Sequence, residues 1–324
     1  MSHTESLSQA DTSIPRDAES GAPVGESQFE ALRRARAEDP QQIRAAFATR
    51  RRRPLIQGDG RLFIVAADHP ARGALGVRDD SMAMADRYDL LERLAIALGR
   101  PGVDGVLGTP DIIDDLALLG LLDDKIVVGS MNRGGLRHST FEMDDRFTAY
   151  DMQGIVRDGL DFAKTLLRIN FSDNGSAATI EANARAVSEA AAARVPIMLE
   201  PFVSSWVDGH IVNDLSTDAV INSVAIAAGL GTSSAYTWMK LPVVDNMERV
   251  MEATTMPTLL LGGDPQNGEE EAFQLWESAL NLPGVRGLVA GRTLIYPVDG
   301  DVAAAVDTAA SLVHASVPGR PSGV

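Results

Sequence analysis

The sequence predicts an α/β protein built as a (β/α)8 TIM barrel, and three observations carry this prediction. Eight short apolar segments alternate along the chain with segments of helical spacing. Glycine and charged residues follow the apolar segments, at the strand ends where such barrels carry their active sites. The 324 residues, 45% of them hydrophobic, are enough to fill one barrel. A doubly wound open sheet is the alternative, but no G-x-G-x-x-G motif follows the first strand.

The two ends of the chain differ in composition from its centre. Residues 1–26 are rich in Ser, Gly, Pro, Asp and Glu, which predicts a disordered N-terminal tail. Residues 27–60 are predicted as a helical extension, with a helix over Ser27–Thr49 that ends in the basic run Arg50–Arg53. Pairing of this run with nearby acids at a solvated helix end is favoured over a nucleic-acid arm. The barrel is expected over residues 61–316, followed by a flexible tail over residues 317–324.

The strands and helices are predicted from apolar runs bounded by Gly, Pro or charged residues and from helical periodicity. The strands are Leu62–Ala67, Val103–Leu107, Lys125–Gly129, Thr165–Ile169, Val195–Leu199, the segment around Lys240, Pro257–Leu261 and Gly287–Ala290. The helices between them are Ser81–Leu98, Asp111–Leu122, Ala149–Phe162, Ala177–Ala193 and Thr217–Ala228. A long polar loop, Ser130–Asp145, follows the third strand.

Lys240 is the most conspicuous residue of the chain. It is one of only three lysines, with Lys125 and Lys164, in a sequence that otherwise uses arginine. Tyr236, Trp238 and Lys240 alternate along the sixth strand and therefore share one face, and Pro242 is expected to end that strand. A primary amine can condense with a carbonyl to form a Schiff base, whereas a guanidinium cannot.

Other ionisable residues at strand ends fit such chemistry. A nucleophilic lysine must be partly neutral near pH 7, and burial together with a second cation lowers its pKa. Either Lys164 or Arg168 could be that cation, because both lie on one face of the fourth strand. Asp68 and Glu200 supply carboxylates for proton transfer. The structural alternative is a set of buried ion pairs that fills a polar layer of the barrel.

Two residue pairs that contain glycine, called here the glycine pairs, follow the last two strands and indicate an anion site. Gly262 and Gly263 follow the seventh strand, and Gly291 and Arg292 follow the eighth, where barrels commonly bind phosphate through loop amides. Ordinary strand-to-helix turns are the alternative interpretation. The loop after the third strand, with Arg133 and Arg137, is a second candidate for anionic substrate groups, or else a lid or a subunit contact.

Composition excludes several other classes of function. A net charge of −16 and a pI near 4.7 argue against binding to nucleic acid or to an anionic membrane. The absence of cysteine favours a cytoplasmic protein, and neither a membrane-spanning run nor a signal segment is seen. The five histidines lack paired metal-ligand spacing, so neither a metal nor another cofactor is expected. No G-x-S-x-G motif supports a serine hydrolase.

The strand-end motifs resemble those of the Schiff-base (class I) aldolases of the DeoC/DhnA-type barrel superfamily, which includes fructose-bisphosphate and tagatose-bisphosphate aldolases. The resemblance covers about Leu62 to Pro297. The motifs are VAADHPARGAL (Val65–Leu75), AKTLLR (Ala163–Arg168), IMLEPF (Ile197–Phe202), WMKLPV (Trp238–Val243), LLLGGD (Leu259–Asp264) and GLVAGRTLI (Gly287–Ile295). Two departures are DHPARG in place of DHG or DQRG, and Arg168 where relatives often carry an aromatic residue.

The resemblance implies that Lys240 forms the Schiff base, that Asp68, Lys164 and Glu200 contact substrate hydroxyls and move protons, and that the glycine pairs bind phosphate. The expected activity is reversible retro-aldol cleavage of a phosphorylated keto sugar or keto sugar acid. Transaldolase-type carbon transfer and a catalytically silent barrel that binds sugar phosphates are the alternatives. The sequence is also similar to an actinobacterial branch associated with inositol catabolism, which implies a deoxy-keto-gluconate phosphate substrate. A homo-oligomer is expected.

Overall fold

The computed structural model describes residues 24–132, 135–263 and 269–314. Nine strands and eleven α-helices lie within these ranges. The strands are β1 (Leu62–Ala66), β2 (Gly105–Gly108), β3 (Ile126–Ser130), β4 (Phe162–Ile169), β5 (Ile197–Val207), β6 (His210–Asn213), β7 (Thr237–Leu241), β8 (Thr258–Leu261) and β9 (Val285–Ala290). The helices are α1 (Glu26–Glu38), α2 (Gln41–Thr49), α3 (Arg87–Gly99), α4 (Pro110–Leu118), α5 (Met152–Arg157), α6 (Gly175–Ala193), α7 (Thr217–Ala228), α8 (Met247–Glu252), α9 (Glu269–Leu280), α10 (Arg292–Ile295) and α11 (Val302–Val313).

Eight of the strands close into a parallel barrel. Hydrogen bonds join β1, β2, β3, β4, β5, β7, β8 and β9 in that order, and β9 pairs with β1 to complete the ring. β6 stands outside the ring as the antiparallel partner of the end of β5. The (β/α)8 barrel predicted from the sequence is therefore confirmed.

Alternation along the strands separates an inner from an outer apolar layer. Leu62, Ile64, Phe162 and Met198 belong to the cluster inside the barrel, while Phe63, Val65 and their neighbours pack against the helices. Both faces of these strands are buried, which is why they read as continuous apolar runs in the sequence. Towards the carboxyl ends of the strands, the same inward-facing positions change from apolar to ionisable.

The N-terminal extension packs against the outside of the barrel. The single helix predicted over Ser27–Thr49 is wrong in detail, because Pro40 separates α1 from α2. The arginine run pairs with acids as expected: Arg50 and Arg52 both bind Asp161, at 3.1 and 2.8 Å. Arg50 and Arg53 are more buried than a solvated helix end implies, with side chains 3% and 15% exposed.

The last described helix is fastened to the barrel at the amino ends of its strands. The side chain of His314, directly after α11, lies 2.9 Å from Asp59 Oδ2 and 3.3 Å from Asp104 Oδ2. Its Nε2 is also 2.9 Å from the carbonyl oxygen of Gly102. These contacts raise the pKa of His314 to about 9, chiefly through the hydrogen bond with Asp104.

Three regions differ most in extent from the predicted elements. The helix expected over Ala149–Phe162 is only α5, and Phe162 already begins β4 because its ring faces the barrel interior. The helix expected over Ser81–Leu98 begins at Arg87, where Asp86 caps it through the amides of Tyr88 and Asp89. The fifth strand extends far beyond Leu199 and turns at Asp208–Gly209 into a hairpin that the sequence analysis missed.

Within the described residues, no helix has both the length and the apolar character needed to cross a membrane.

Candidate active site

A cavity of about 510 Å3 opens at the carboxyl ends of the barrel strands. Its lining includes most of the site residues predicted from the sequence: Asp68, Arg168, Glu200, Lys240, Gly262, Gly263, Gly291 and Arg292. Lys164 lies below the cavity with a fully buried side chain. Arg133 falls outside the described residues. A larger cleft of about 680 Å3 is lined by Thr109, Phe141 and Phe147 among others, and it lies apart from the two central lysines.

The two lysines are linked through one carboxylate. Lys240 Nζ binds Glu200 Oε1, and Lys164 Nζ lies 2.5 Å from Glu200 Oε2. Lys164 Nζ is also 3.3 Å from Asp68 Oδ2. Inward-facing positions on β4, β5 and β7 and at the end of β1 thus converge into a chain of alternating charge, Asp68–Lys164–Glu200–Lys240, termed here the lysine network.

The environment of Lys240 favours its neutral amine. Burial lowers the pKa of Lys240, the Glu200 carboxylate opposes this effect, and the positive charge of Lys164 lowers the pKa further. The net shift is downwards from the ordinary lysine value. The second cation that the sequence analysis left open is therefore Lys164.

Arg168 contributes to a different buried cluster. Its guanidinium lies 2.6 Å from Asp145 Oδ1 and 3.7 Å from Glu142 Oε1, and it donates to the carbonyl of Glu142. Its own amide donates to Asp145 Oδ2. The nearby Asn132 side chain donates to the carbonyls of Asp145 and Leu166 and accepts from the amide of Leu166. Arg168 thus reaches the cavity wall while it fastens the loop after β3 to β4.

Ser130 is a buried polar contact of the lysine network that the sequence analysis did not single out. Its hydroxyl donates to Asp68 Oδ2 at 3.1 Å, and its Cα pairs with that of Lys164 across β3 and β4. Its place at the inward-facing carboxyl end of β3 was the available signal. Its hydroxyl carries no charge, so a search for ionisable residues at strand ends passes over it.

The glycine pairs line the part of the cavity at the ends of β8 and β9. A Cβ on Gly291 would lie 2.3 Å from the carbonyl oxygen of Ala66, so only glycine lets this backbone pass so close to β1. Gly263 has a φ of +69°, in the left-handed region that favours glycine. Arg292 begins the short helix α10 directly after Gly291. Gly291 thus serves the close packing of β9 against β1, whereas no atom lies within 4 Å of the Cβ position of Gly263, so the backbone there is open to the cavity.

Two segments form a roof over the other side of the cavity. The β5–β6 hairpin contributes Ile211 and Asn213, and the loop after β3 contributes Arg137 and Glu142. The rings of His138 and His210 meet where these segments approach each other, with their Nδ1 atoms 3.4 Å apart. In the described ranges, no group of three histidine, aspartate or glutamate side chains is arranged to hold a metal ion.

Structural comparison finds the same barrel fold in Schiff-base aldolases. A Schiff-base-forming fructose-1,6-bisphosphate aldolase superposes with a TM-score of 0.59 at 20% identity, over 84% of this chain and 100% of that chain. An archaeal fructose-1,6-bisphosphate aldolase, whose catalytic lysine carries a carbinolamine intermediate, gives 0.59 at 21% identity, over 84% and 99%. At this distance the likeness shows the shared fold.

The chain belongs to the Cgl0159-like family, whose model matches residues 60–310. The crystal structure of Cgl0159 from Corynebacterium glutamicum is 70% identical, covers 90% of this chain and 99% of that chain, and superposes with a TM-score of 0.89. Comparison with curated proteins gives no significant match.

Proposed function

We propose that this protein is a class I aldolase that cleaves a phosphorylated keto sugar or keto sugar acid through a Schiff base on Lys240. The observation that carries the proposal is the lysine network. A buried lysine with a lowered pKa lines the cavity, and a carboxylate that bridges it to a second buried lysine can accept and return protons.

The first half of the reaction forms the imine. The neutral Lys240 amine adds to the substrate ketone, and a proton moves to the former carbonyl oxygen to give a carbinolamine. Glu200 first takes the proton that the Lys240 ammonium gives up and then donates it to the departing hydroxyl, so that loss of water leaves a protonated imine and the Glu200 carboxylate. Lys164 Nζ contacts the other oxygen of Glu200 and so holds this carboxyl beside the Lys240 amine.

The second half breaks the carbon–carbon bond. A base takes the proton of the substrate hydroxyl, the bond to the neighbouring carbon breaks, and its electron pair flows into the protonated imine to give an enamine and a free aldehyde. Asp68, which Ser130 and Lys164 hold in place, is the carboxylate we assign to this proton. Protonation of the enamine and addition of water then release the ketone product and restore the Lys240 amine.

The substrate phosphate is assigned to the glycine pairs at the ends of β8 and β9. Backbone amides and Arg292 suit a phosphate, and the same strand ends commonly bind phosphate in barrels of this kind. Involvement in inositol catabolism stays a prediction of the sequence resemblance.

Borohydride trapping tests the proposal. The wild-type protein is incubated with dihydroxyacetone phosphate or a panel of keto sugar phosphates, reduced, and analysed by intact mass and peptide mapping. We expect one stable adduct on Lys240 and none in Lys240→Ala. An adduct on Lys164 would keep the imine chemistry and overturn the residue assignment, whereas no adduct with any carbonyl would favour a silent binding barrel.

Lys125 provides a matched control within the same chain. Burial lowers its pKa as well, but its Nζ donates to the carbonyl of Val103 at 2.7 Å, and it does not line the cavity. A Lys125→Gln variant should therefore be trapped as fully as the wild type. Products formed with different acceptor aldehydes would separate a simple aldolase from a transaldolase.

A further inference from the structure

Two histidines meet at the point where two segments of the chain form the roof over the cavity. His138 lies in the loop after β3, and His210 is the first residue of β6 in the hairpin. Their Nδ1 atoms are 3.4 Å apart, and their rings stand at 85° with 5.3 Å between the centroids. Both residues are exposed, and neither lines the cavity. The proposed reaction therefore gives this pair no task.

The separation of the two Nδ1 atoms is that of two ligands on one tetrahedral metal ion. Zinc binds histidine nitrogen at about 2.0–2.1 Å with tetrahedral geometry, which places two such nitrogens about 3.3–3.4 Å apart. Hydrogen bonds donated by nitrogen ordinarily span about 2.7–3.2 Å. The distance of 3.4 Å between these two rings thus fits a shared zinc ion better than a shared proton.

Contacts of the loop after β3 hold His138 in place. Its amide donates to Glu142 Oε2 at 2.8 Å, and Glu142 Oε1 lies 3.7 Å from the guanidinium of Arg168. The preceding residue, Arg137, donates its amide to the carbonyl of Arg72 at 2.9 Å. His138 itself has a φ of +66°, in the left-handed region that few residues with a side chain adopt. The backbone that carries the first histidine is therefore fixed by contacts on both sides.

The hairpin holds His210 in a comparable way. His210 pairs with Val207 across the antiparallel ladder, directly after the turn at Asp208–Gly209. The indole nitrogen of Trp206 lies 3.4 Å from Asp173 Oδ2, which joins the hairpin to the segment after β4. Ligands that the fold already positions lose little conformational entropy when an ion binds, and this raises the affinity of a site that has few ligands.

We infer that His138 and His210 form a two-histidine site for Zn2+ or a similar divalent transition metal ion, which joins the hairpin to the loop after β3. Imidazole nitrogen is a preferred ligand of these ions. Since no third histidine, aspartate or glutamate of the described ranges completes the site, water takes the remaining positions. The net charge of −16 favours a cation at the surface of this protein. The two histidines are 72 positions apart, so their spacing in the sequence gives no sign of the site.

Calorimetric titration with ZnCl2 at about pH 7.5 tests the site on the full chain, prepared without a histidine tag. We expect one Zn2+ per wild-type chain, and an affinity at least about tenfold lower in His138→Gln and in His210→Gln. Both residues are exposed, so these variants should fold as the wild type does. Co2+ serves as a spectroscopic probe, because a tetrahedral Co2+ ion absorbs visible light strongly. This absorption should appear in the wild type and be lost in both variants.

His69→Gln and His314→Gln are the matched controls. Each removes a histidine that lies beside carboxylates elsewhere in the described part of the chain, His69 beside Asp68 and His314 beside Asp59. Both controls should bind Zn2+ with the wild-type affinity. No binding by the wild type, or an affinity that is unchanged in the His138 and His210 variants, would overturn the inference. A loss of affinity in a control alone would place the ion elsewhere and would overturn it as well.

Hydrogen exchange followed by mass spectrometry shows whether the ion joins the two segments. In the wild type, Zn2+ should slow amide exchange in peptides from residues 136–145 and from residues 204–213 together. In His210→Gln it should slow neither. Slower exchange in only one of the two segments would mean that the ion binds without bridging them, which would refute the two-histidine site. This outcome does not depend on any aldolase activity, so it stands apart from the fate of the proposed function.

Discussion

Glu200 is the residue on which the candidate chemistry turns, because its two oxygens contact two different lysines. A single carboxylate cannot fully compensate two buried ammonium groups, so one of the lysines releases its proton more readily. The two lysines differ in their surroundings: Lys240 lines the cavity, whereas Lys164 is fully buried and has Asp68 as a second partner. The two lysines therefore differ in how readily they release a proton, although they share the same carboxylate.

The hydrogen bond from Ser130 to Asp68 leads to a prediction about a single residue. In Ser130→Ala, Asp68 loses a hydroxyl donor that stabilises its ionised form, so Asp68 becomes easier to protonate. We expect kcat for aldol cleavage to fall about tenfold, and the acid limb of its pH profile to move to higher pH. Trapping of the imine on Lys240 should persist, because Ser130 does not contact that amine.

The comparison for Ser130 is Ser223→Ala. Ser223 is equally buried, but it lies on α7 and donates to the carbonyl of Val220 at 2.8 Å. Its loss removes a buried hydroxyl without touching the lysine network, and the pH profile should not move. A parallel shift in both variants would reduce Ser130 to a packing role.

Residues of the lysine network could be predicted because strand alternation is strict. Once Lys164 and Lys240 are assigned to strands, the period of two fixes which neighbours share the barrel interior with them. Pairing partners could not be predicted, because they depend on the stagger between strands. Arg168 illustrates this limit. It shares a strand face with Lys164, yet it binds Asp145 in the loop after β3, and no pattern in the sequence around Arg168 indicates that partner.

The Arg168–Asp145 ion pair fastens the loop after β3 to the barrel, and its loss can be measured. Arg168→Met would leave Asp145 fully buried without its charge partner, at a cost of about 3 to 5 kcal/mol in the free energy of unfolding. Urea unfolding followed by circular dichroism measures this loss. The control Arg185→Met breaks an exposed pair with Glu181 on α6 and should cost much less. Equal losses would mean that the loop is not fastened through Arg168.

The β5–β6 hairpin shows how an element can be missed despite a clear signal. Asp208 and Gly209 have φ values of +49° and +78°, as in the tight two-residue turns that favour Asp-Gly. The Asp-Gly turn was overlooked because the apolar run ends at Leu199, and the barrel strand was expected to end with it. Residues 203–207 instead change from buried strand to exposed hairpin arm. A change in burial inside one strand cannot be read from an apolar run alone.

On the scale of the whole molecule, the barrel is closed at the end away from the cavity by contacts between distant parts of the chain. His314 joins the C-terminal helix to Asp59 and Asp104, and the Arg61 side chain donates to the carbonyl of Val313 at 3.0 Å. The eightfold alternation was sufficient to predict the barrel from the sequence. These closing contacts were not predictable, since they join residues about 200 positions or more apart.

His314 makes the stability of the molecule depend on pH. Its pKa is raised from 6.5 to about 9 in the folded protein, so its contribution is complete below pH 6.5 and is lost as the pH rises through 9. Because the side chain is partly solvated, we expect His314→Gln to lower the free energy of unfolding by about 1 to 2 kcal/mol at pH 6. The wild type and the variant should converge above pH 9.

Urea unfolding at several pH values between 6 and 10 checks this prediction. His210→Gln, at the hairpin far from α11, serves as the control and should keep the wild-type slope of stability against pH over this range. A His314 variant with the wild-type slope would show that the charge of this histidine does not fasten the helix.

The scarcity of lysine has a consequence for the protein as a chemical reagent. Carbonyl compounds condense with any accessible neutral amine, and a chain rich in exposed lysine would carry adducts at many positions. Here Lys164 and Lys240 are both buried, Lys125 donates to a backbone carbonyl, and the remaining basic side chains are guanidinium or imidazole groups, which form no Schiff base. Amine-directed dyes and crosslinkers should therefore label the side chains of the folded protein sparsely, and a small carbonyl that condenses with Lys240 must first enter the cavity.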